Sequence, residues 1–285
     1  MPLTRKAYRA AILHSIADPA EVGIEASYEY FEDGLLVIDN GQISALGHAS
    51  DLLASLPADI EVTHYQDALI TPGLIDTHIH LPQTGMVGAY GEQLLDWLNT
   101  YTFPCESQFA DKAHAEEVAD IFIKELLRNG TTTALVFGSV HPQSVNSFFE
   151  AAEKLDLRMI AGKVMMDRNA PDYLTDTAQS GYAESKALIE RWHGKGRLHY
   201  AVTPRFAPTS TPEQLTLAGQ LLGEYPDLYM QTHISENLQE VEWVKELFPE
   251  RKGYLDVYDH YKLLGERSVF AHGVHLCDDE CARLA

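Results

Sequence analysis

His78 and His80 flank Ile79. On an extended strand, residues two apart face the same side, so both imidazoles can reach a single ion. Two ring nitrogens at that spacing suit zinc or iron. The pair closes the stretch Thr71-Pro72-Gly73-Leu74-Ile75-Asp76-Thr77, an apolar run with a polar C-terminal end. Three further polar residues follow later apolar runs in the same way. His233 ends Tyr229-Met230-Gln231-Thr232, Glu236 lies three positions on, and His272 follows Val269-Phe270-Ala271. Taken singly, a lone histidine is more often a hydrogen-bonded structural residue, and an acid entering a helix is favoured by the helix dipole. Their shared place at strand ends argues instead for one convergent site, because parallel barrels build their active sites at the C-terminal ends of the strands.

The elements that must position these residues read as two regions. Residues 1–72 form a run of short strands broken by turns: 9–16, 28–30, 34–38, 42–46 and 61–65. This is the pattern of a small β-sandwich domain. Asp33-Gly34 and Asn40-Gly41 are the Asx-Gly pairs that tighten hairpins, and Asp39-Asn40-Gly41-Gln42 sits between two alternating apolar runs. From Leu69 the character changes. Apolar β-rich runs at 69–80, 132–137, 158–166, 199–206, 228–233 and 268–275 alternate with amphipathic segments such as 115–129 and 235–247. The repeat predicts an α/β fold, a TIM-like (β/α)8 barrel over residues 73–285. Only six of its eight strands can be counted before Ala285, so the barrel is read as C-terminally incomplete. Its open edges predict that these residues do not fold alone.

Composition narrows the function classes. Hydrophobic residues make up 45% and charged residues 22% of 285, values that fit a folded globular protein rather than a disordered chain. With 21 Lys and Arg against 42 Asp and Glu, the net charge of -21 repels phosphate backbones and anionic surfaces, so neither nucleic acid nor membrane is expected as a partner. No apolar run approaches the roughly eighteen residues of a membrane span, and the amino terminus lacks a secretory pattern. Cys105, Cys277 and Cys281 form no CxxC pair and suit a reducing compartment. The cytoplasm is the expected location.

The segments PGLIDTHIH, TPRF, HISEN and FAHGVHL occur in the order and spacing of the amidohydrolase superfamily, which the whole chain resembles. Within it, Gln83, the stretches 94–98 and 101–104, and Thr203-Pro204-Arg205-Phe206 are similar to the guanine deaminases. Residues 127–171 resemble their bacterial members. That resemblance implies a zinc-dependent hydrolase acting on the C–N bond of a cyclic amidine, which converts guanine to xanthine and ammonia in purine catabolism. It implies that His78, His80 and His233 bind one zinc per subunit, with iron as the other metal. Glu236 then shuttles a proton and His272 helps hold the zinc-bound water. Gln83, Arg205 and Phe206, with His233, select the purine, Arg205 donating to O6 and Phe206 covering the ring face. A homodimer is also implied. The family's remaining metal ligand is an aspartate after the eighth strand. Asp278 and Asp279 do not fill that role, so residues 1–285 alone are expected to be inactive.

Rival chemistries are weaker. A different zinc deaminase fold uses H-x-E followed by P-C-x-x-C. Here Pro104-Cys105 precedes His114-Ala115-Glu116, and position 108 is Gln. A related amidohydrolase acting on another amino- or chloro-heterocycle shares every metal residue, and only Gln83 and Arg205-Phe206 speak against it. A non-catalytic truncated barrel, acting through its open edge, is opposed by the intact histidines and Glu236.

Overall fold

A computed structural model describes residues 5–91 and 93–285. Two compact units divide the chain, Met1–Gly73 and Leu74–Ala285.

The first unit contains one four-stranded sheet in the order β3-β2-β1-β4, from β1 (Arg5–Ser15), β2 (Tyr28–Asp39), β3 (Gln42–His48) and β4 (Val62–Ile70). The expected hairpin joins β2 to β3. Asn40 and Gly41 both take positive φ, 51° and 79°, as the tight two-residue turn requires. Asp33-Gly34 is not a turn: it lies inside β2, where Gly34 pairs with Ala10. A Cβ at Gly34 would fall 2.7 Å from Cγ1 of Ile12, so glycine serves close packing there rather than chain reversal. Asp33 instead accepts from Nε of Arg9 at 2.7 Å across the strand pair. Ala7, Leu35, Val37 and Ala49 form the core of this unit, with Leu52, Leu53 and Leu56 packed against them.

In the second unit a parallel sheet runs β11-β10-β9-β7-β6-β5. Its strands are β5 (Leu74–His80), β6 (Thr131–Phe137), β7 (Arg158–Gly162), β9 (His199–Pro204), β10 (Tyr229–Ile234) and β11 (Ser268–His272), and β8 (Val164–Met165) pairs with β9. These occupy the six expected strand positions, with two changes. Leu69 and Ile70 pair with Ala11 and Ile12 as the end of β4, so the barrel strand begins only at Leu74. The expected strand 158–166 breaks at Lys163. That fully buried ammonium lies 2.5 Å from Asp176 and 3.2 Å from Glu184, and a polar group held in this way interrupts an otherwise apolar strand.

Alternation along the strands sorts the sheet into two faces. Ala134, Val136, Met159, Ala161, Tyr200 and Val202 pack outward into the helix layer, where Phe122, Phe148, Phe149 and Trp192 complete the main core. Leu135, Ile160 and Ala201 form a separate cluster on the opposite face, with Tyr229 and Val269 packed against it. His233 lies four residues beyond Tyr229, so the same period carries it onto the inner face at the C-terminal end of β10. Several of the longer helices begin with side-chain caps. Asp111 accepts from Ala113 N at the start of Lys112–Arg128, and Thr177 and Ser180 form a reciprocal capping box at Ala178–Trp192.

Candidate active site

His78 and His80 end β5, and His233 ends β10; one ligand nitrogen from each lies within 4.8 Å of the others. Nε2 of His80 stands 3.0 Å from Nε2 of His233. The Phe137 ring stacks on His80 at 4.5 Å between centroids and tilts against His233 at 4.6 Å, forming the apolar floor of the cluster. His272 stacks on His233 at 5.4 Å and meets His78 edge-on at 5.2 Å.

Burial sets the charge state of this cluster. Desolvation, aided by His272 and Arg205, lowers His78 to about 4. Desolvation first, then neighbouring imidazoles and Arg205, holds His80 and His233 well below the usual histidine range. All three rings are neutral at pH 7 and offer lone pairs. The tautomer of His233 follows from its partner: a carbonyl only accepts, so Nδ1, 2.7 Å from the Arg205 carbonyl, carries the proton and Nε2 is a lone pair. Among the described residues, Nδ1 of His80 is buried without a hydrogen-bond partner. Neutral imidazoles that aim nitrogens at one point, one of them oriented by a backbone carbonyl, fit a divalent cation of the zinc or iron kind.

Glu236 sits beside this cluster. Its Oε2 is 3.4 Å from Nε2 of His272, and desolvation, opposed by Arg205, raises its carboxyl above the ordinary range. Two backbone features place the pair. Ser235 and His272 adopt positive φ, 50° and 72°, a conformation that costs free energy in non-glycine residues and is often stored at functional sites. Buried Glu240 then fixes the turn: its Oε2 accepts from the backbone N–H of Glu236 at 2.9 Å and of Asn237 at 3.1 Å, while Oε1 accepts from Tyr254 at 2.6 Å. Helix Leu238–Leu247 starts there with an Asn237–Glu240 capping box.

All the sequence-predicted residues line one cavity of about 820 Å³: His78, His80, Gln83, Arg205, Phe206, His233, Glu236 and His272. Trp97 lines it too, and its indole N–H donates to Ala89 O at 3.0 Å. Phe206 is buried against the edge of Trp243. Arg205 is not in a surface ion pair. It is buried, and its Nη1 donates to both carboxylate oxygens of Glu106, at 2.7 and 2.9 Å. Glu106 comes from Phe103–Ser107, which continues Leu94–Trp97 through a π-helical turn at Leu98–Thr102. Such wide turns recur at functional sites because they shift which residues face inward. The rival Pro104-Cys105 and His114-Ala115-Glu116 stay apart from the cavity; His114 packs edge-on against Phe109.

Sequence reasoning missed Glu106, Phe137 and Glu240. For Glu106 a signal existed: Phe103, Glu106 and Phe109 recur every three residues, so the acid shares an apolar helical face and needs a buried partner. For Glu240 the signal was the spacing Asn237-x-x-Glu240. Phe137 reads as core, and nothing in its surroundings along the chain marks it as a neighbour of two histidines.

The sequence pattern of the amidohydrolase family matches residues 69–285. The chain belongs to the amidohydrolase family. Among its relatives, guanine deaminase of Escherichia coli is 55% identical over 99% of this chain and 64% of its own length, and the probable guanine deaminase of Deinococcus radiodurans is 43% identical over 98% and 64%. The chain thus spans less than two thirds of these relatives. Among solved structures, E. coli guanine deaminase superposes with a TM-score of 0.94, covering 98% of this chain and 65% of that one. Guanine deaminase from C. acetobutylicum, solved with bound guanine in the active site, gives 0.88 at 29% identity, covering 98% and 65%. A triazine hydrolase variant at 19% identity and a TM-score of 0.81 shares the amidohydrolase fold.

Proposed function

We propose that the protein deaminates guanine to xanthine and ammonia by hydrolysis, with zinc held by His78, His80 and His233. The observation that carries this reading is the meeting, in one cavity, of three neutral imidazoles and Glu236 with Gln83, Arg205 and Phe206. Similarity to guanine deaminases along nearly the whole chain supports the substrate. When bound, zinc acts as a Lewis acid that brings the pKa of water toward neutrality.

The chain's own residues supply the rest. Arg205 donates to the purine O6, and Gln83 offers both a donor and an acceptor to the ring edge. Phe206 covers a ring face. Each excludes alternatives: a site that presents a donor to O6 leaves that donor unpaired against a 6-amino purine such as adenine, which costs buried hydrogen bonding. Glu236, with a carboxyl raised by burial, takes a proton from the attacking water and gives it to N3 and then to the departing amine. His272, beside Glu236, orients that water.

The test is the ultraviolet conversion of guanine to xanthine by zinc-loaded protein, beside Glu236→Gln, with adenine and cytosine as controls. Turnover of guanine that collapses in the variant supports the reading. Faster turnover of another heterocycle sinks the substrate assignment and leaves the hydrolytic one.

A further inference from the structure

Arg205 reaches the cavity as half of an ion pair whose other half is out of sight. The Arg205 side chain is 3% exposed and the Glu106 side chain 0%. Both carboxylate oxygens accept from a single nitrogen, Nη1. Among the described residues, no hydrogen bond joins Nε or Nη2 to the protein, and neither is a buried orphan, so these donors face the cavity that Arg205 lines. The Phe103 ring lies 5.5 Å from the guanidinium carbon and fixes its plane from one side.

From this arrangement we infer that Glu106 is a positioning and specificity residue: it aims Arg205 and cancels its charge, so that the cavity selects a neutral, planar oxo-heterocycle over an anionic one. The inference deepens the proposed function and rests on its assignment of Arg205 to the substrate.

The physical reason is a difference of affinities. A lone buried guanidinium is an uncompensated charge and takes up an anion wherever one fits, because pairing relieves its desolvation cost. The same guanidinium, already paired with a carboxylate, presents N–H donors from a pair that is neutral overall. A carbonyl oxygen accepts those donors without bringing charge. A carboxylate or phosphate on the ligand would instead meet the Glu106 charge across the guanidinium, in a low-dielectric setting where repulsion is strong. Geometry acts alongside charge. With Nη1 held at both oxygens, the guanidinium cannot swing about its long side chain, and less rotamer entropy is lost when a ligand binds.

Calorimetry on the zinc-loaded protein tests this with two probes of similar size, hypoxanthine as the neutral oxopurine and orotate as a planar heteroaromatic carboxylate. Wild type is expected to bind hypoxanthine and to reject orotate. Glu106→Gln, which keeps size and removes charge, is expected to weaken hypoxanthine at least ~10-fold and to tighten orotate severalfold. A loosened fold weakens hypoxanthine and gains no orotate, so the opposite signs are the diagnostic readout. Should Glu106→Gln fail to fold, Glu106→Asp keeps the charge and moves it by one methylene: hypoxanthine weakens and orotate stays excluded. In an Arg205→Gln background, Glu106→Gln loses its effect on the preference. Unchanged affinities in folded Glu106→Gln, a loss of hypoxanthine binding with no gain of orotate binding, or a wild type that prefers orotate overturns the inference. Guanine turnover by the full-length wild-type protein judges the deaminase reading separately: no turnover there together with the expected swap removes that reading and keeps the role of Glu106.

Discussion

Two polar groups line the cavity, a partly buried histidine cluster and the buried Arg205, and desolvation has opposite consequences in them. The imidazoles of His78, His80 and His233 escape burial by shedding protons, and so present lone pairs to a cation. Arg205 cannot shed its proton. It keeps its charge by pairing with Glu106, a carboxyl that burial pushes up and Arg205 pulls only part of the way back. The same low dielectric thus yields a set of acceptors in the one group and a set of charge-compensated donors in the other. What decides between them is the intrinsic pKa of the side chain and whether a counter-charge shares its burial.

The largest effect that would separate the two groups comes from the histidine side. His233→Ala removes a nitrogen and its link to the Arg205 carbonyl; bound zinc is expected to fall from ~1 to below ~0.1 per chain, with activity down more than ~10⁴-fold. Elemental analysis beside the guanine assay checks it, and full metal retention would contradict the assigned ligand set. Glu236→Gln should leave zinc in place and lower kcat by ~10²–10⁴-fold, the range for loss of a general acid–base. If KM rises with kcat unchanged, Glu236 binds and does not move protons.

On the arginine side, Arg205→Lys keeps the charge and loses the planar fork. KM for guanine is expected to rise ~10–100-fold, corresponding to one charged hydrogen bond, with zinc content intact. Loss of zinc in that variant would mean that the two groups are not separable. The smallest effect belongs to Glu240→Gln, which disturbs the turn presenting Glu236 without touching either group. A drop of about 10-fold in kcat is expected, the lower end for an orienting residue. Steady-state kinetics with metal content measured in parallel would expose a wider role for Glu240.

Much of this was legible along the chain. The order of β5 to β11 follows from apolar runs alternating with helical segments, and the Asn40-Gly41 turn from residue chemistry alone. The errors lie where a local signal has two meanings. Gly34 reads as a turn because glycine permits one, yet Ile12, across the strand pair, requires it for space. Residues 69–80 read as one strand because both parts are apolar, and pairing partners alone divide them between β4 and β5.

By itself, the sequence determined the set of chemical groups: which imidazoles, which carboxyl, and the two-residue and strand-end spacings that bring His78, His80, His233, Glu236 and His272 to one end of the sheet. Periodicity encodes that, since it depends only on backbone geometry within each element. Tertiary structure decided the environment of those groups. Glu106 and Arg205 are 99 residues apart in the chain, His80 and His233 are 153 apart, and no local pattern links either pair. Protonation state, tautomer and the neutralised charge of Arg205 depend on burial and on partners from distant segments, which exist only once the sheet and its helices have packed.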